Sequence, residues 1–185
     1  MDVLEAVKTR RSIGKLGGDV SDAEVRALVE AAVFAPNHKL TFPWRFIALR
    51  GEARARLGQA WAAAAAEAAP GGAERETFLA REAAKPLRAP IVLVVSTRTD
   101  QNSVRAIEDF AATAAAVQNI LLAAHALGIA AIWRTGDMAY NREINEHLGL
   151  DRDDRIVAFV YLGRAAMEAP KGAPRDTEQV LTILE

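Results

Sequence analysis

The chain has 185 residues, 51% of them apolar, and a formal net charge of -1 from 23 basic and 24 acidic side chains. That balance is ordinary for a globular protein and excludes binding to nucleic acid or an anionic membrane through a basic excess. Cysteine is absent, which excludes disulfides, thiolate nucleophiles, thiolate metal sites and iron–sulfur clusters.

The length suits one domain spanning residues 1–185. The start, Met1-Asp2-Val3-Leu4-Glu5, is acidic and amphipathic and does not read as a signal peptide. The most apolar window, Ile120 to Trp133, is too short to span a membrane and contains His125 and Gly128. A cytoplasmic protein without membrane or nucleic-acid partners is expected.

Val3, Leu4, Ala6 and Val7 have helical spacing, and Thr9-Arg10-Arg11-Ser12 follows them into the glycine-rich stretch Gly14 to Gly18, which reads as loop. Two guanidinium groups and a hydroxyl at a helix end can grip a phosphate monoester. Equally, basic side chains there can simply offset the helix dipole. Ser21 and Glu24 form a capping box, and the helix they open carries Val25, Leu28, Val29, Ala32 and Val33 up to Pro36. Pro36 to Pro43 reads as loop and Trp44 to Leu49 as strand. Glu52 to Ala69 and Ala73 to Lys85 read as a helical pair, alanine-rich between Trp61 and Ala69, and either a mobile cover or core.

Pro90 to Ser96 has the look of a strand buried on both faces. Val104 to Leu127 is a long helix, apolar nearly all round from Phe110, and is expected to be buried on every side, in part by a second subunit. Glu108 and Asp109 diverge by about 100° on that helix and read as solvated charges. Ile129 to Trp133 is a strand leading to Arg134-Thr135-Gly136, Asn141 to Leu148 a short capped helix, and Ile156 to Leu162 another buried strand. Gly163 to Asp176 reads as extended. Val180 to Leu184 is a possible fifth strand or a helix turn. The pattern is α+β or α/β.

No dinucleotide fingerprint, Walker A motif, nucleophile elbow or zinc-protease motif is present. His38, His125 and His147 have no ligand-like spacing, so no metal site is expected and no side chain stands out as catalytic. An enzyme of this composition needs a bound cofactor to carry the chemistry.

Four segments, taken in order, resemble the FMN-dependent nitroreductase family, in its minimal short-chain form. They are the helix ending Arg10-Arg11-Ser12; Ala35-Pro36-Asn37-His38 followed by Phe42-Pro43-Trp44-Arg45-Phe46; Gly128 through Trp133-Arg134-Thr135-Gly136; and the strand Ile156 to Leu162 closing in Gly163. The resemblance implies an α+β fold with a central, mostly antiparallel sheet flanked by helices, in an intertwined homodimer. It implies FMN as cofactor and NAD(P)H as co-substrate. By position, Arg10, Arg11 and Ser12 match residues that hold the FMN phosphate and ribityl chain. Phe34 and His38 match residues facing the partner's flavin, and Trp133, Arg134 and Thr135 match the turn that meets the ring. The implied activity is an oxidoreductase that takes hydride from NAD(P)H and reduces a small acceptor, such as a nitroaromatic or quinone, by a ping-pong mechanism. Alternatives are a non-catalytic FMN-binding or sensor protein, or a flavin reductase-like or dehalogenating relative on the same scaffold. Arg134, then Lys39, is the candidate cation for the pyrimidine end of the ring. Phe42 replaces the family's usual glutamine, and Gly163-Arg164-Ala165 replaces Gly-Tyr-Pro. Lys171 and Arg175 are further phosphate candidates.

Overall fold

A computed structural model describes residues 1–173 and 176–184. Eleven helices and strands alternate irregularly: α1 Val3–Thr9, β1 Leu16–Gly17, α2 Asp22–Ala32, β2 Trp44–Leu49, α3 Glu52–Ala64, α4 Glu74–Ala84, β3 Ile91–Thr97, α5 Ser103–Ala126, β4 Ala130–Arg134, α6 Arg142–His147 and β5 Arg155–Ala165. Short 3-10 turns cover His38–Leu40, Lys85–Arg88 and Asp137–Tyr140.

The long strand β5 is central. β3, with β2 outside it, and β4 pair along its two edges, β1 pairs with its last residues Arg164 and Ala165, and every pairing is antiparallel. Because side chains alternate along a strand, the two faces have separate cores. Ile91, Leu93 and Val95 of β3 meet Val160 and Leu162 of β5 on one face, under Leu28 of α2 and Val117, Ile120 and Leu121 of α5. Val92 and Val94 meet Phe159 and Tyr161 on the other, under Leu57 and Trp61 of α3 and Ile144 of α6. Covering both faces explains why β3 and β5 are continuous apolar runs. A bulge interrupts the β3–β5 register, pairing Val95 with Ala158 and Ser96 with Ile156, so Val157 is the extra residue. Its carbonyl accepts the Trp133 indole N–H at 3.0 Å.

Side-chain caps start α2, α5 and α6, those of α2 and α6 as the sequence indicates. Ser21 and Glu24 close a reciprocal box on α2, Asn102 accepts from two backbone N–H groups of α5, and Asn141 does the same for α6. Helix α3 stops at Ala64 rather than Ala69; high alanine propensity does not hold a terminal turn that has little to pack against. The helix itself is core: Leu57 is buried, Trp61 packs edge-on against Phe159 with ring centroids 5.0 Å apart, and Gly58 abuts the Ala83 backbone of α4.

Two expectations change, on the fifth strand and on Asp109. The fifth strand is Leu16–Gly17, within the glycine-rich stretch, where β5 extends far enough to pair with it; Val180 ends a single turn, and the residues after it are irregular and exposed. Helix α5 is not buried on every side within one chain: Ala116, Val117 and Ile120 are buried, but Val104, Ile107 and Phe110 are exposed. Asp109 is not a solvated charge but is 4% exposed. Arg175 lies outside the described residues. Among those described, no helix is long and apolar enough to cross a membrane.

Arg164, one of the departures from the family pattern, joins β5 to the capping box of α2, its Nη2 lying 2.7 Å from Glu24 Oε1. The Arg164 hydrogen bond, then the Ser21 N–H and hydroxyl, holds the Glu24 carboxyl at a pKa of about 2 against its ordinary 4.5. Since the folded-state value is depressed, the ionised group favours folding. That contribution is complete above about pH 4.5 and is lost as pH falls toward about 2. In Arg164→Gln, melts taken across this window should show a flatter acid limb than wild type, with little difference at pH 2.

Candidate functional site

The edge strand β4 organises the candidate residues. One edge pairs with β5; on the other, Ile13 N–H donates to Ala131 O at 3.1 Å. This bond lays the Arg10-Arg11-Ser12 segment alongside the start of β4, whose far end is Trp133-Arg134-Thr135. Thr135 is four positions on from Ala131, a run of about 13 Å at the usual strand rise. Arg10 and Ser12 thus share one sheet edge with the turn after β4.

Helix α1 is fixed from the side. Thr9 Oγ1 donates to Glu5 O at 2.7 Å and lies 2.8 Å from His125 Nε2 on α5. Because the hydroxyl proton is committed to Glu5, His125 Nε2 carries the hydrogen of that contact. Arg11 turns back onto its own helix end: its Nη1 donates to Lys8 O and Arg10 O, both at 2.8 Å. The returning chain crosses it at Gly172, where an added Cβ would stand 2.2 Å from Arg11 Nη2. This brings the neighbouring Lys171 to the same end of the sheet. Arg10 and Arg11 are both half-buried, and Ser12 is exposed beside them.

Trp133 and Arg134, adjacent in β4, point to opposite faces. The Trp133 indole packs on the α2/α5 core and bonds the bulge carbonyl. Arg134 lies on the α3/α4 face with its guanidinium carbon 5.6 Å from the Tyr161 ring centre. There a cavity of about 320 Å³ is bounded by Arg134, Thr135, Trp61, Lys85, Arg88 and Tyr161, with Glu82, Asp137 and Met138 also on its wall. Arg134 Nε and Trp61 Nε1 are buried donors with no hydrogen-bond acceptor among the described residues. Burial pushes the Tyr161 hydroxyl up to about 12, with Arg134 and Arg88 pulling in the opposite direction, so it stays protonated and donates to Lys85 O at 3.0 Å. The cavity is therefore rich in donors. Lys85, Arg88 and Trp61 went unnoticed in the sequence because they lie on other elements, with no motif spacing to β4. A larger cavity of about 950 Å³ opens beyond Trp133 and Thr135, toward Phe110, Tyr140 and Arg142.

Phe34 and His38 stand elsewhere. Phe34 is 85% exposed, and His38 is exposed at the start of the 3-10 turn. Their loop is tied to Asp109 near the start of α5, whereas α1 is tied to His125 near its end. Those anchors are about 24 Å apart along the helix. One chain does not bring Phe34 and His38 to Arg10.

Comparison with known proteins is consistent along nearly the whole chain. The sequence model of the Nitroreductase family matches residues 7–164. YfhC of Bacillus subtilis (strain 168), provisionally named an NAD(P)H nitroreductase, is 32% identical over 161 residues, 86% of this chain and 82% of that protein. YdjA of Escherichia coli (strain K12), named in the same way, is 32% identical over 91% of each chain. The crystal structure of a nitroreductase-like family protein from Bacillus cereus aligns with a TM-score of 0.86 and 30% identity, covering 99% of this chain and 96% of that one. A Desulfovibrio desulfuricans structure, of a provisionally named nitroreductase in complex with FMN, aligns at 0.75 and 26%, covering 100% and 98%.

Arg11 supplies the prediction here. Removing two hydrogen bonds to helix-end carbonyls in Arg11→Ala should cost about 0.5–1.5 kcal/mol in urea unfolding, with the slope against denaturant unchanged. An unaltered midpoint would show that these bonds do not hold the helix end.

Proposed function

The chain belongs to the nitroreductase family, and from that premise we propose that it is a homodimeric FMN-dependent oxidoreductase using NAD(P)H. The observation that carries the cofactor is the donor set around Arg134. Buried Nε and indole N–H groups lacking acceptors, with Lys85 and Arg88 beside them, suit a flavin's pyrimidine edge, which is rich in carbonyl and ring-nitrogen acceptors. When bound, FMN would accept a hydride from NAD(P)H and pass the electrons to a small acceptor such as a nitroaromatic or quinone, in a ping-pong sequence.

The chain's own residues bind, orient and tune. Arg10 and Ser12 hold the phosphate at the start of β4, with Lys171 from the returning segment. Thr135 and the backbone of the turn after β4 meet the ring. Arg134, with Arg88 beside it, places positive charge at the pyrimidine end and favours the negative charge gained on reduction, while Lys85 is held by its ion pair with Glu82. Trp61 and Tyr161 wall that end off from water, which strengthens these interactions. Trp133 acts from behind, holding the strand through its bond to Val157 O. Phe34 and His38 reach the flavin of a second subunit, a role that fits their exposure and their distance from Arg10. The exposed apolar side chains Val3, Leu4 and Val7 of α1 and Val104, Ile107 and Phe110 of α5 are the surface a partner would cover.

Colour tests the reading directly. Purified protein reconstituted with FMN should be yellow and should bleach with NADH or NADPH in the absence of oxygen. Yellow protein that neither nucleotide bleaches is a binding module, and failure to bind FMN ends the flavin reading.

The phosphate grip has a separate test. Loss of charge-assisted bonds worth about 1.5–3 kcal/mol each predicts that Arg10→Ala weakens FMN roughly ten- to hundred-fold and riboflavin, which has no phosphate, far less. Equal weakening of the two flavins would remove Arg10 from the phosphate site.

A further inference from the structure

The loop between α2 and β2 contains an unusual run of backbone. Lys39, Leu40 and Phe42 have φ of 62°, 52° and 46°. None is glycine, and each non-glycine residue in the left-handed region costs of order 1 kcal/mol or more unless its surroundings enforce it. What enforces it is a polar relay ending on a buried carboxylate. Thr41 Oγ1 donates to Asp109 Oδ1 on α5. With its proton used there, the same hydroxyl accepts from Asn37 Nδ2 at 3.0 Å. Asn37 Oδ1 in turn accepts the Phe42 N–H at 2.8 Å. The relay clamps both ends of the distorted run to the helix.

Asp109 has no simpler explanation. It lies beyond the first turn of α5, where a carboxylate gains from the helix dipole. At 4% exposure it is a polar group taken out of water, and an apolar side chain of similar volume would serve stability as well or better. The residues enclosed by its relay include His38 and Lys39, both exposed. We propose that Asp109 is a positioning residue: through Thr41 and Asn37 it holds the His38–Phe42 loop in a strained form that presents His38 and Lys39 to the ring end of the partner's flavin. This rests on the flavin reading above, but its first test does not.

The test uses full-length protein in four forms: Asp109→Leu, Thr41→Val, the double variant and Asp109→Asn. Trypsin cleavage after Lys39, identified by mass, should rise about tenfold in Asp109→Leu and Thr41→Val. The double variant should be no worse than either single, because both cut one relay. Asp109→Asn should restore slow cleavage, since its amide oxygen still accepts from Thr41. In FMN-reconstituted protein, Asp109→Leu should weaken FMN and riboflavin equally, by about tenfold, because the loop acts on the ring and not the phosphate. Melting temperatures should stay close to wild type. A lowered melting temperature with no localised cleavage, additive singles, or a loss confined to FMN would each overturn the proposal. If Asp109→Leu does not fold, Thr41→Val and Asp109→Asn decide it alone. If wild type binds no flavin, the flavin reading fails and with it the role toward the partner, while the cleavage arm still decides whether Asp109 clamps the loop.

Discussion

The burial of β5 on both faces and along both edges is the constraint from which the rest of the molecule follows. Between Ile156 and Gly163 the strand turns no side chain to water, so Phe159 and Tyr161 must be housed under α3 while Val160 and Leu162 are housed under α2 and α5. Housing a tyrosine requires a partner for its hydroxyl, because an unpaired buried hydroxyl costs more than a bond gains. The Lys85 carbonyl supplies it. That bond fixes the 3-10 turn after α4 and with it the Lys85 and Arg88 side chains beside Arg134. The donor-rich cavity is a consequence of how the central strand is packed.

The same strand explains why the site lies at β4. Sheet interiors have no free backbone edge, and here β5 and β3 are paired on both sides. Among the described residues β4 is covered on its outer edge by the Ile13–Ala131 bond, so its turn is the place where chain from three regions converges. Alternation then divides the work within it. Trp133 faces the core and braces the bulge, while Arg134, one residue on, faces the cavity. In the flavin reading proposed above, a ring-binding role for the segment falls to Arg134, Thr135 and the backbone.

Polar groups taken out of water mark where the structure departs from a simple packed core. Glu82, Asp109, Asn145 and Asp154 are all buried. Asn145 is structural, its amide donating to the carbonyls of Asp151, Arg152 and Asp154 to shape the turn before β5. Asp154 lies 3.3 Å from Arg45, linking the start of β5 to β2. Glu82 pairs with Lys85 on the cavity wall. Asp109 alone among these is tied to a stretch of strained backbone.

Local physics made much of this legible in the sequence. The capping boxes, the glycine and proline stops and the continuous apolar runs gave the helices and the four long strands close to where they lie, because each is decided by residues within a turn or a strand length of one another. Arg10, Ser12, Arg134 and Thr135 were visible as polar groups at the ends of apolar elements. What tertiary structure alone decided are relations across long separations. β1 exists only because β5 runs on to Ala165. Arg11 serves its own helix end because the chain returns over it at Gly172. Lys85 and Trp61 come to the same cavity as Arg134 from other elements, and Asp109, which reads as a surface charge, is buried where the loop after α2 closes on it. A carboxylate looks the same in a sequence whether water or a threonine hydroxyl solvates it, and only the packed chain determines which.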